Sequence, residues 1–128
     1  MRAYLLTYDV PHLKTQQLLA ALKLLPGLEL SLLGLPFNPR APRQPLFQHR
    51  PEMASGGHPD PLARHYGIPY RTITGVEELG ALDGPVVIAG AGLLAADFVD
   101  RNTVINCHGG LIPAVRGLDA FKWAIHDR

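Results

Sequence analysis

The chain opens on a short apolar run, "RAYLLTYD" (residues 2–9), which has the continuous hydrophobic character of a buried strand. The next stretch, "HLKTQQLLAALKLLPG", carries Leu13, Leu18, Leu22 and Leu25 at spacings that predict a helix ending at Pro26-Gly27. "LELSLLGL" (28–35) is a second continuous apolar run. Strand, helix and strand in this order predict a right-handed βαβ unit with parallel strands. The pattern then breaks from Pro36 to Pro61, where seven of the twelve prolines fall together with Arg40, Arg43, His49, Arg50 and His58. A loop of that length in a compact domain is usually functional or disordered.

Order returns at "DPLARHYGIPYRTIT". It predicts a short helix capped by Asp60, with Pro61 in its first position and Gly67 at its close, and then a strand around Tyr70 to Ile73. "VEELGAL" predicts a helical turn or two, "PVVIAGAG" (85–92) a buried strand, "LLAADFVDR" a helix, and "TVINCH" a further strand. Alternation of this kind predicts an α/β protein, a Rossmann-like three-layer α/β/α sandwich around a mostly parallel sheet.

Length and composition narrow the class. A chain of 128 residues fits a single domain, and 18% charged residues with a net charge of +1 describe neither a disordered chain nor a nucleic-acid-coating surface. One cysteine rules out an internal disulfide and cannot by itself make a zinc site. The N-terminal apolar run is too short for a secretory signal, and no stretch approaches the roughly 20 apolar residues of a membrane span. The expectation is a soluble cytoplasmic protein acting on a small molecule, with no nucleic-acid or membrane partner, and compatible with a homo-oligomer.

Two features carry candidate chemistry. Gly90, Gly92 and Ala95 match the G-x-G-x-x-G/A spacing of a dinucleotide turn, but Leu111-Ile112-Pro113 stands where that fingerprint needs an acid for the ribose. A tight strand-to-helix turn lining a pocket is the better reading. In "VINCHGG", residues two apart in a strand share a face, so Asn106 and His108 would project together while Cys107 turns away into a buried, structural position. An amide and an imidazole converging at a strand end suit an oxyanion; a strand-end cap and a loop anchor are the plainer roles for the same pair.

The segment "INCHGGLIPAVRGLDAFKWAI" resembles the signature of the folate-dependent formyltransferases, in which Asn-x-His leads into a Leu-Leu-Pro-type loop, an Arg-Gly, and a helix. The match runs through Asn106, His108, Leu111, Ile112, Pro113, Arg116 and Gly117, and the order of elements before it follows the family more weakly. The resemblance implies transfer of a formyl group from 10-formyltetrahydrofolate to an amine, with Asn106 and His108 as the catalytic pair holding the oxyanion. It implies a folate pocket lined by Ile88, Ala89, Gly90, Ala91, Gly92, Leu93 and Leu94, and a substrate side formed by Gly109, Gly110, Pro113, Arg116 and Gly117, with no metal.

Within that family, "TYDVPH" after the first strand lacks the glycine-rich phosphate cradle of the glycinamide ribonucleotide enzymes. The chain looks most like members that formylate nucleotide-linked amino sugars, which makes the basic residues of the 36–61 loop candidates for the diphosphate. Hydrolases that use the same folate share the Asn-x-His pair, so water is the alternative acceptor. The family's catalytic aspartate lies further along than the twenty residues that follow His108 here. The expectation is therefore a C-terminally incomplete formyltransferase domain lacking the last strands of its sheet, or else a folate-binding module without turnover.

Overall fold

The computed structural model describes residues 1–39 and 56–107. It contains five strands, β1 (Arg2–Tyr8), β2 (Glu29–Leu35), β3 (Tyr70–Thr72), β4 (Val86–Ile88) and β5 (Val104–Ile105). Between them lie α1 (Leu13–Leu22), α2 (Pro59–Tyr66), a single 3-10 turn at Val76–Glu78, and α3 (Ala96–Arg101). The strands form one sheet in the order β3-β2-β1-β4-β5, and every pairing is parallel. This is an α/β Rossmann-like fold.

The central pairing explains the apolar runs. β1 lies between β2 and β4, with Leu5 opposite Leu32 on one side and Val87 on the other, and Leu6 opposite Leu33 and Ile88. A strand paired on both edges and covered on both faces has no polar side to offer. Alternate residues therefore divide into two cores. Ala3, Leu5, Leu30 and Leu32 pack with Leu19 of α1 and Ala63 of α2. Leu6, Leu33, Leu35, Val86 and Ile88 pack on the opposite face with Val76, Leu79 and Phe98 of α3.

Several boundaries differ from the sequence expectation. The covered face of α1 is Thr15, Leu18, Leu19 and Leu22, whereas Leu25 lies beyond the helix and is exposed. α2 starts at Pro59 rather than at Pro61. His58 is its N-cap, and the His58 ring accepts a hydrogen bond from the Asp60 amide at 3.3 Å. Both prolines then fall in the first turn, where a missing N–H costs nothing. The helix closes as expected at Gly67, which is left-handed (φ 61°) and lets the Ile68 amide reach back to the Ala63 carbonyl.

The second half of the sheet is shorter than its pattern predicts. β4 stops at Ile88 because the amides of both Ala89 and Gly90 turn onto the Leu6 carbonyl, at 2.9 and 3.2 Å. α3 begins only at Ala96, leaving Leu93 and Leu94 in the preceding turn. It is held by Asn102, whose side chain accepts from the Leu82 amide at 2.8 Å and donates to the Phe98 carbonyl at 3.0 Å. No helix among the described residues is long and apolar enough to cross a membrane.

Phe98 is fully buried, although its helix has only six residues. Phe98→Ala is expected to cost about 3–5 kcal/mol, read as a lowered urea midpoint with an unchanged slope.

Candidate functional site

In an open parallel sheet, ligands are received at the carboxyl ends of the strands, where the strand order reverses direction. Here that point lies between β1 and β4. A depression of about 560 Å3 lined by Arg2, Tyr4, Lys23, Glu29 and neighbours lies at the amino ends instead, where Arg2 and Tyr4 are taken up by Asp83. The carboxyl side is the candidate site, and two polar networks organise it.

The first centres on Asp9, immediately after β1. Its amide donates to the Leu35 carbonyl at 2.7 Å, and its carboxylate accepts the Tyr70 hydroxyl and faces His58 Nε2 at 3.4 Å. Because His58 Nδ1 is already an acceptor from the Asp60 amide, Nε2 is the nitrogen that carries the proton toward Asp9. Burial, then the bond to Asp9, push the Tyr70 hydroxyl well above the ordinary tyrosine range, so it stays a donor. Tyr70 reaches Asp9 by crossing Gly34, where a Cβ would fall on the ring. Asp9, His58, Asp60, Tyr70, Arg71 and Thr72 line a cleft of about 490 Å3.

The second network lies under the start of α1. Thr7 and Thr15 are fully buried and bonded to each other at 2.5 Å, and His12 Nδ1 lies 2.8 Å from the Thr15 hydroxyl. Thr7 points to this face because it follows Ala3 and Leu5 at period two. Burial first, and Lys14 second, hold the His12 imidazole below its ordinary pKa. On its other side the ring meets the β4 turn. A Cβ at Gly90 would stand 2.8 Å from the Tyr8 ring and 3.2 Å from His12 Cε1.

Of the expected folate-facing residues, Ile88, Ala89 and Gly90 are buried, Ala91 and Leu94 half-buried, and Gly92 and Leu93 exposed. The backbone groups of residues 91–94 make no hydrogen bond to another described residue. Asn106 is exposed, immediately past β5, in line with Ile88 of β4 by the register of Ile105 with Val87. Cys107 is exposed as well, which corrects the expectation of a buried cysteine: β5 ends at Ile105, so strand alternation does not extend to it. His108, Gly109, Gly110, Pro113, Arg116 and Gly117 lie outside the described residues, as do Arg40, Arg43, His49 and Arg50 of the proline-rich loop. Among the described residues, no three His, Cys, Asp or Glu side chains converge as metal ligands.

Sequence reasoning did not single out Asp9, His12, Thr15 or Tyr70. The signal for Thr7 and Thr15 was present, as polar residues at buried-face spacing; the meeting of Asp9 with Tyr70, 61 residues apart, left no local trace.

No family model, curated protein or solved structure matches this chain.

Gly34→Ala is expected to cost about 1–3 kcal/mol by displacing Tyr70 from Asp9. In a Tyr70→Phe background the same change should cost less, because no bond is then left to break. A double-mutant cycle by urea denaturation measures the coupling, and strict additivity would remove the Tyr70–Asp9 bond as the cause.

Proposed function

We propose that the protein is an N-formyltransferase that moves the formyl group of 10-formyltetrahydrofolate to an amine, with the amino group of a nucleotide-linked sugar as the acceptor. The observation that carries this reading is the sequence Asn106-x-His108 followed by Pro113, of which Asn106 stands immediately past β5, on the carboxyl side of a parallel sheet and level with the end of β4. In this reading the Asn106 amide and the His108 imidazolium hold the oxyanion that forms when the amine adds to the formyl carbon.

The β4 turn suits the folate. A pteridine ring is flat, and its edge alternates donors and acceptors. The 91–94 backbone offers the same alternation, unengaged by other described residues, and Leu93 and Leu94 supply apolar contact. A side chain at Gly92 would meet no other described residue within 4 Å.

The test is incubation of the full chain with 10-formyltetrahydrofolate and a nucleotide-linked amino sugar, with mass spectrometry of the sugar. A gain of one formyl group is expected, and Asn106→Ala should lower kcat by about 10²- to 10³-fold. Release of formate with the sugar unchanged would replace the amine with water as acceptor. Failure of the protein to bind 10-formyltetrahydrofolate in a calorimetric titration would end the folate reading.

A further inference from the structure

The polar network under α1 is more elaborate than a helix start requires. His12 is the N-cap residue of α1, yet its side chain caps no backbone amide. It is turned instead onto Thr15, and through Thr15 onto Thr7, two hydroxyls that no water reaches. Its backbone is fixed separately, by donation from its amide to the Gly57 carbonyl at 3.3 Å. A side chain held this firmly at a strand's carboxyl end is oriented for something.

The hydrogens of the network have one arrangement that uses all of them. Thr7 donates to the Tyr8 carbonyl at 3.4 Å, Thr15 donates to Thr7, and His12 Nδ1–H donates to Thr15. That order leaves Nε2 without a proton. Nε2 has no hydrogen-bond partner among the described residues, and the adjoining Cε1 borders Gly90, the start of the turn read above as the folate wall. The ring therefore presents a lone pair at the point where β1 and β4 part.

We propose that His12 Nε2 accepts the proton shed by the attacking amine, an inference that rests on the formyl-transfer reading. The amine nitrogen bonds to the formyl carbon as the carbonyl π pair moves to oxygen. One N–H proton passes to Nε2. The oxygen then restores the carbonyl as the carbon–N10 bond breaks, and the imidazolium returns its proton to N10. The products are the formamide and tetrahydrofolate, and His12 is regenerated.

Geometry and charge both agree with this role. β1 and β5 flank β4 and so run about 10 Å apart, with Ile105 level with Leu5 across Val87 and β1 continuing to Tyr8. A carbon seated above the end of β4 would lie between His12, whose Cε1 borders Gly90, and Asn106, which is level with Ile88. The titratable groups around His12 are Lys14 on its own helix and Tyr8 at the end of β1, while Asp9 and His58 are engaged with each other. Burial and Lys14 both disfavour the imidazolium, so the ring is neutral at pH 7 and becomes a base only toward a strongly acidic proton such as that of an N-alkylammonium adduct.

Two measurements on the full chain test this. Long-range 15N–1H NMR of the imidazole at pH 7 is expected to show Nδ1 protonated and Nε2 bare; a protonated Nε2 would overturn the proposal without any mutation. His12→Gln, checked for fold by circular dichroism, is expected to lower kcat about 10²- to 10⁴-fold with the KM for 10-formyltetrahydrofolate unchanged. The wild-type rate should fall as pH drops below 6.5, toward the depressed pKa of His12, and His12→Gln should lack that acid limb. A variant at full rate with the limb intact overturns this proposal alone; absence of formyl transfer by the wild type overturns the formyl-transfer reading and this one together.

Discussion

The structure depends on the double pairing of β1. With β2 on one edge and β4 on the other, its backbone amides and carbonyls are consumed in the sheet, and its side chains alternate between two covered faces. Such a strand can be polar only where it emerges. Thr7 is the last buried position before that exit, and it is bonded to Thr15 rather than to water. Tyr8, Asp9 and His12 follow at once, so the residues that build the carboxyl face are those the sheet cannot absorb. The strand that fixes the fold thereby also fixes the position of the site.

Two glycines make room for this arrangement, by different means. Gly34 lies within β2, where a missing side chain weakens a strand; in exchange, Tyr70 crosses it and reaches Asp9. Gly90, two residues past β4, lets the Tyr8 and His12 rings close against its backbone. A third close approach, of Gly56 against the backbone of His12 and Leu13, seats the residues before α2 on the start of α1. Gly57 extends the same contact, its amide donating to Gln16 Oε1 at 2.8 Å. The segment entering α2 is thus tied to α1 by backbone contact and to Asp9 by His58, while Tyr70 reaches the same Asp9 from β3.

Much of this fold was legible in the sequence. The β1-α1-β2 unit follows from long apolar runs and a clear helical period, and Gly67 announced the end of α2. Legibility fell where elements are short. β4 and β5 contain three and two residues, too few for alternation to mark where a strand stops, so both were read too long. That error placed Cys107 inside a strand and buried it. Asn106 was visible because its neighbours form a motif, whereas His58 and Tyr70 acquire meaning only when the chain returns to Asp9 from far along the sequence.

The two sides of the candidate site differ in how they are held. On the β1 side, Thr7 belongs to a seven-residue strand and Thr15 to a ten-residue helix, both buried, and His12 just before that helix is bonded to Thr15. On the β4–β5 side, the candidate groups are the backbone of 91–94 and the side chain of Asn106, carried by turns that rest on Phe98 and Asn102. An orienting base gains most from the rigid side, because its lone pair must keep one direction. A flat ligand bound by backbone gains from a turn whose amides and carbonyls are not committed to the sheet. The proposed division, with proton transfer at His12 and ligand seating on the 91–94 turn, would draw on both kinds of strand end.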